Sequence, residues 1–132
     1  LDHILDWTEQ RRAIAAQYDS LLSDVSAIST PKTQAHKYHV YHLYVLKMKN
    51  IAERDSLMEF LNAAGVQTGI HYPYMLHGHP HIDMTTVMRT PSEDGEWVDP
   101  ENPVLSLPIY PGMDMEQIEY VSDKIHEWSE SK

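Results

Sequence analysis

A histidine, a tyrosine and a proline stand together at His71-Tyr72-Pro73, with a further histidine at His77. Imidazole donates or accepts a hydrogen bond near neutral pH, and a phenol adds a hydroxyl to an aromatic face. Pro73 stiffens the exit of the turn, so presenting the pair costs less conformational entropy. Such a group suits a sugar, a nucleotide or a phosphate ester. In the opposing reading Tyr72 packs in the core and His71 satisfies backbone groups. Residue types alone leave the two open.

Other chemistries fit less well. His36, His39 and His42 are three apart, a helical spacing, whereas the strand expected there turns His39 and His42 to opposite faces. His77, His79 and His81 have the period of two that could converge on an ion in extended chain. No acid or thiol accompanies them at a characteristic spacing, so no metal ligand is assigned. Ser106 falls inside an expected strand rather than on a sharp strand-to-helix turn. Gly65 and Gly69 flank an expected strand instead of opening a helix, which excludes a glycine-rich phosphate loop. No catalytic residue is assigned.

The elements that must position these groups follow from periodicity. Residues 2–24 read as one amphipathic helix with Ile4, Trp7, Ile14, Tyr18, Leu21 and Val25 along its buried stripe. Arg11 interrupts that stripe, either snorkelling past the core edge or pairing with an acid outside the chain. Residues 26–37 form a connector. The aromatic and β-branched run 38–48 is expected to be a central strand, apolar on both faces and covered on both. A helix over 53–64 buries Leu57, Leu61 and Ala64, and Gly65 ends it in the left-handed region. A short strand over 66–70 leads directly into His71. Residues 73–103 lack a period and read as a long irregular segment. A third strand spans 104–107. Asp114 then caps the last helix with Gln117 as its reciprocal partner, Met113 and Ile118 forming the accompanying staple. Ile118, Val121, Ile125 and Trp128 are its buried stripe. The order predicts an α+β fold of two layers: about three strands, a long N-terminal helix, a middle helix and a C-terminal helix.

The 132 residues fit one domain spanning 1–132. The absence of cysteine excludes disulfides and thiolate chemistry. No apolar run reaches the about 18 residues a bilayer requires, and no leader pattern opens the chain, so a cytoplasmic protein without membrane contact is expected. Residues 1–82 carry 7 Lys/Arg against 8 Asp/Glu, while residues 83–132 carry 3 against 12. Phosphate backbones need cations, so nucleic acid is not an expected partner.

Arg11-Arg12-Ala13-Ile14-Ala15 with Tyr18 and Leu22, Tyr38-His39 with Tyr44-Val45, and Arg54-Asp55 with Leu57, Leu61 and Gly65-Val66 form an ordered set. His71-Tyr72-Pro73, Leu76-His77 and the stretch 105–112 continue it. In that order and spacing the chain resembles the C-terminal small domain of the DegT/DnrJ/StrS-type nucleotide-sugar aminotransferases, pyridoxal-phosphate enzymes of fold type I. Met75 stands where many members have proline, and residues 90–103 lack the family's Pro-x-Ala-Glu element.

The resemblance implies amino transfer to a nucleotide-linked keto sugar, with a large cofactor domain and a dimer mate as partners. It carries substrate contact over to His71, Tyr72 and His77. Transamination also needs a Schiff-base lysine, an acid for the pyridine nitrogen and a phosphate cradle, which in the family belong to the large domain. Lys47, Lys49 and Lys124 match no such motif. The chain alone is therefore expected to bind no pyridoxal phosphate and to be inactive. It begins at Leu1 in a helical pattern, as expected of an excised segment. Trp7, Met48, Met75 and Met84 are the residues expected on a partner-facing patch. The alternatives are an autonomous, non-catalytic interaction module on the same fold and, more remotely, a histidine-loop metalloprotein.

Overall fold

Tyr44, Leu46 and Met48 alternate with Val45 and Lys47, and that period of two organises the sheet. The computed structural model describes residues 2–73 and 103–132. Its elements run α1 (Ile4–Leu21), β1 (Ile28–Ser29), β2 (Tyr44–Met48), α2 (Ile51–Ala63), β3 (Val104–Leu107) and α3 (Met115–Glu130). The sheet is antiparallel in the order β1-β2-β3. Tyr44 pairs with Leu107 and Leu46 with Leu105, so these four side chains share one face. All four are buried in a cluster with Leu57 and Leu61 of α2 and Ile118, Val121, Ile125 and Trp128 of α3. The fold is α+β, with the three helices and three strands expected.

The strand over 38–48 is shorter than its composition predicts. Only Tyr44–Met48 is extended and paired. Residues 38–43 lie along α1 instead, where Arg11 Nε donates to the Val40 carbonyl at 3.0 Å and Arg12 Nη1 to that of His39 at 2.9 Å. The Arg12 guanidinium also stacks 4.1 Å from the Tyr38 ring centre. Tyr41 has φ 46°, which breaks the extended run, and its N–H donates to His39 Nδ1 at 3.0 Å. Carbonyls bound by arginines are not available to a ladder. Arg11 thus pairs within the chain, with the Val40 carbonyl and, through Nη2, with Thr8 Oγ1 at 3.1 Å.

β2 is central, as expected, but it is not covered on both faces: Lys47 is exposed and Val45 half-buried, while Met48 is buried. Met48 is therefore not available to the expected partner-facing patch, whereas Trp7 is exposed. In α1, Ile14, Ala15 and Tyr18 are buried, but Ile4 and Trp7 are 43% and 44% exposed. The first two turns extend beyond the sheet cluster, so their apolar stripe is not enclosed by described residues.

Residues 66–70 form no strand; a single bridge joins Gly69 to Ser106. The third strand is Ile28–Ser29, within the expected connector, and too short to show a period. The helix ends agree with their sequence signals. Asn50 Oδ1 accepts from Glu53 N at 2.9 Å, and Asp114 and Gln117 form the reciprocal capping box of α3. Gly65 has φ 79°, while Gly65 N donates to Asn62 O and Val66 N to Leu61 O, closing α2 in a Schellman arrangement. Arg54, rather than Ala64, joins Leu57 and Leu61 as a buried residue of α2. Among the described residues no helix is long and apolar enough to cross a membrane.

Candidate functional site

Ser106 lies between Leu105 and Leu107, so strand alternation turns its side chain to the face away from the helix-packed cluster. There Gly69 meets it through two backbone bonds, Gly69 N to Ser106 O at 3.1 Å and Ser106 N to Gly69 O at 2.7 Å. His71 folds back over this bridge, its Nδ1 3.0 Å from Ser106 Oγ. The fit depends on the missing side chain of Gly69, since a Cβ there would lie 2.6 Å from His71 Cε1. Tyr72 stands edge-on to the His71 ring, with centres 5.9 Å apart, and is 72% exposed. The reading that packs Tyr72 in the core is thereby excluded.

His71 and Ser106 line a cleft of about 220 Å3 together with His42, Gln67, Thr68 and Pro108. Thr68 Oγ1 is buried and has no hydrogen-bond partner among the described residues. Imidazole, amide and hydroxyl residues thus border the cleft beside Leu43, Leu107, Pro108 and Ile109, a mixed lining suited to a polyhydroxylated or phosphorylated ligand. Larger clefts of about 400 and 420 Å3 lie between α1 and the start of α3 and between α2 and the end of α3. Neither brings a histidine to its lining.

Of the residues expected to touch substrate, His71 lines this cleft and Tyr72, next to it, is exposed outside the lining, while His77 lies outside the described residues, as do Met75, His79, His81 and Met84. Ser106, Gly69 and Thr68 were not anticipated. A glycine in a strand-like run often marks close approach, and a lone serine between two leucines marks the second face of a strand; both signals were available. The remaining histidines do not gather. His39 accepts from Tyr41 N while His42 borders the cleft, and no group of three potential metal ligands occurs among the described residues.

The lysines do not fit a pyridoxal phosphate. Lys32, Lys37, Lys47 and Lys49 are exposed, and Lys132 lies over Trp128 beside Glu53. Lys124 Nζ is held 2.7 Å from Glu127 Oε1, and that bond raises its pKa, the wrong direction for a nucleophilic amine. No step through that cofactor is derived for this chain.

Known proteins share this architecture. Erythromycin biosynthesis sensory transduction protein EryC1 of Saccharopolyspora erythraea is 36% identical over 92% of this chain and 32% of its own length. The dTDP-3-amino-3,4,6-trideoxy-alpha-D-glucose transaminase of Streptomyces venezuelae is 34% identical over 98% of this chain and 33% of its own. The crystal structure of S. venezuelae DesV superposes with a TM-score of 0.81 at 32% identity, covering 98% of this chain and 34% of that one. The chain thus spans about a third of the length of the relatives it matches. With residues 1–126 matching the family model as well, the chain belongs to the DegT/DnrJ/EryC1/StrS aminotransferase family.

Proposed function

We propose that this chain is the C-terminal small domain of a pyridoxal-phosphate aminotransferase acting on nucleotide-linked keto sugars. Its part is to present His71 and Tyr72, and His77 from the segment beyond, to the sugar nucleotide. A large cofactor domain and a dimer mate are its partners in this reading, and the cytoplasm is its compartment, in keeping with a cysteine-free chain. The observation that carries the reading is the His71 ring, held 3.0 Å from Ser106 in the wall of a cleft and followed in the chain by an exposed Tyr72. Relatives whose names specify a sugar transaminase support the choice of substrate class.

The chemistry divides accordingly. When bound to the large domain, the cofactor supplies the electron sink for amino transfer. His71 and Tyr72 bind and orient the substrate, contributing hydrogen bonds and an aromatic face. The chain by itself is expected not to transaminate.

Replacing both His71 and Tyr72 with Ala in the complete enzyme should raise KM for the nucleotide sugar by about tenfold, the cost of one or two hydrogen bonds. Turnover of the amino donor in the first half-reaction should be unchanged. Equal KM values in the variant and the parent would remove the substrate-contact role.

A further inference from the structure

We propose that Ser106 is a positioning residue for His71: its hydroxyl donates to Nδ1, keeping the ring over Gly69 and placing the imidazole proton on Nε2. The assignment deepens the proposed function, since it rests on His71 being the substrate contact. It specifies what His71 offers, namely an N–H aimed at an acceptor oxygen of the nucleotide sugar.

Three features of the structure lead there. Ser106 is 4% exposed, so its O–H must find an acceptor inside the protein. His71 Nδ1, at 3.0 Å, is the acceptor it meets among the described residues. If Nδ1 instead carried the proton and donated to Oγ, the buried hydroxyl hydrogen would be left without that partner. With Nδ1 accepting, the neutral ring carries its proton on Nε2. His71 is exposed and borders the cleft, so Nε2 is the nitrogen left for a ligand. The third feature is rigidity. The Gly69–Ser106 bridge fixes the hydroxyl relative to the ring, and the bare Gly69 backbone gives the ring its seat. Preorganisation of this kind lowers the entropy cost of binding.

The tautomer can be read directly in the full 132-residue chain with labelled histidine, from long-range proton–nitrogen correlations of the His71 ring. The spectra are recorded at a pH of about 9, which disfavours the doubly protonated form of imidazole in general. The parent should show Nε2–H in excess by about tenfold, the ratio that corresponds to one modest hydrogen bond. Ser106→Ala should lower that excess to the modest Nε2–H preference that a free neutral histidine already has, and Ser106→Thr, which keeps the hydroxyl, should restore it.

Gly69→Ala provides an independent route, because it retains Ser106 while its methyl displaces the ring. It should lower the excess to the free-histidine ratio with the remaining amide spectrum preserved. A parent ring that is predominantly Nδ1–H, or an excess that keeps the parent's size in both Ser106→Ala and Gly69→Ala, overturns the assignment. No ligand is present in these measurements. Their failure is therefore separate from failure of the substrate-contact reading, which the His71 and Tyr72 kinetics decide.

Discussion

The two faces of the sheet are built on opposite terms. On one, Tyr44, Leu46, Leu105 and Leu107 are packed against α2 and α3 with almost no exposure. On the other, one residue along each strand, Val45, Lys47 and Ser106 meet solvent or the folded-back His71. The first face holds the domain together by burial. The second uses the backbone of the same strand as a fixed platform for polar groups. A strand anchored on one side can present a hydroxyl on the other with little freedom, because its two faces share one backbone.

The sharpest way to break the comparison is on the packed face. Leu105→Ala should destabilise the chain by about 3 kcal/mol, within the range for a fully buried leucine, as measured by urea denaturation. A cost below about 1 kcal/mol would mean that this face does not carry the stability assigned to it.

Alkaline pH probes the same face through its phenols. Burial raises the pKa of Tyr18 and Tyr44, and the hydrogen bond from Tyr44 to Asp19 at 2.6 Å raises that of Tyr44 further. Both folded values lie above the ordinary tyrosine pKa of about 10, so the folded chain keeps protons that the unfolded chain loses. Their contribution is complete below about pH 10 and declines above it, by up to about 1.4 kcal/mol per pH unit per tyrosine. Denaturation midpoints measured from pH 9 upward should fall once that value is passed. A flat profile would place both hydroxyls in contact with water.

The smallest stability effect is expected on the open side. Tyr72→Ala removes a 72% exposed ring and should shift stability by no more than about 0.5 kcal/mol. Thermal melting of that variant sharpens the contrast. A large loss would make Tyr72 a structural residue, contrary to its proposed role at the substrate.

Much of this arrangement could be read before any coordinates. The stripe of α3, the reciprocal cap of Asp114 and Gln117, and the left-handed Gly65 all depend on contacts within a few residues, and all appear as expected. Residues 38–43 could not be read in that way. Their aromatic and β-branched composition favours a strand, but Arg11 and Arg12, 27 to 29 residues earlier, bind their carbonyls. β-propensity is a weak preference that a charge-assisted hydrogen bond overrides. Ile4 and Trp7 show the converse. Periodicity identifies an apolar stripe but does not say how far along the helix a neighbour reaches.

The site divides along the same line. Residue types and order in the chain were enough to indicate the family and to single out His71 and Tyr72 as candidates. Only the folded arrangement brought Ser106 to His71 across 35 positions and seated the ring on Gly69. Local signals travel through dihedral preferences and spacing, which a linear chain carries in itself. Which hydroxyl faces which imidazole is set by strand pairing between distant segments, and that pairing exists only once the whole core has closed.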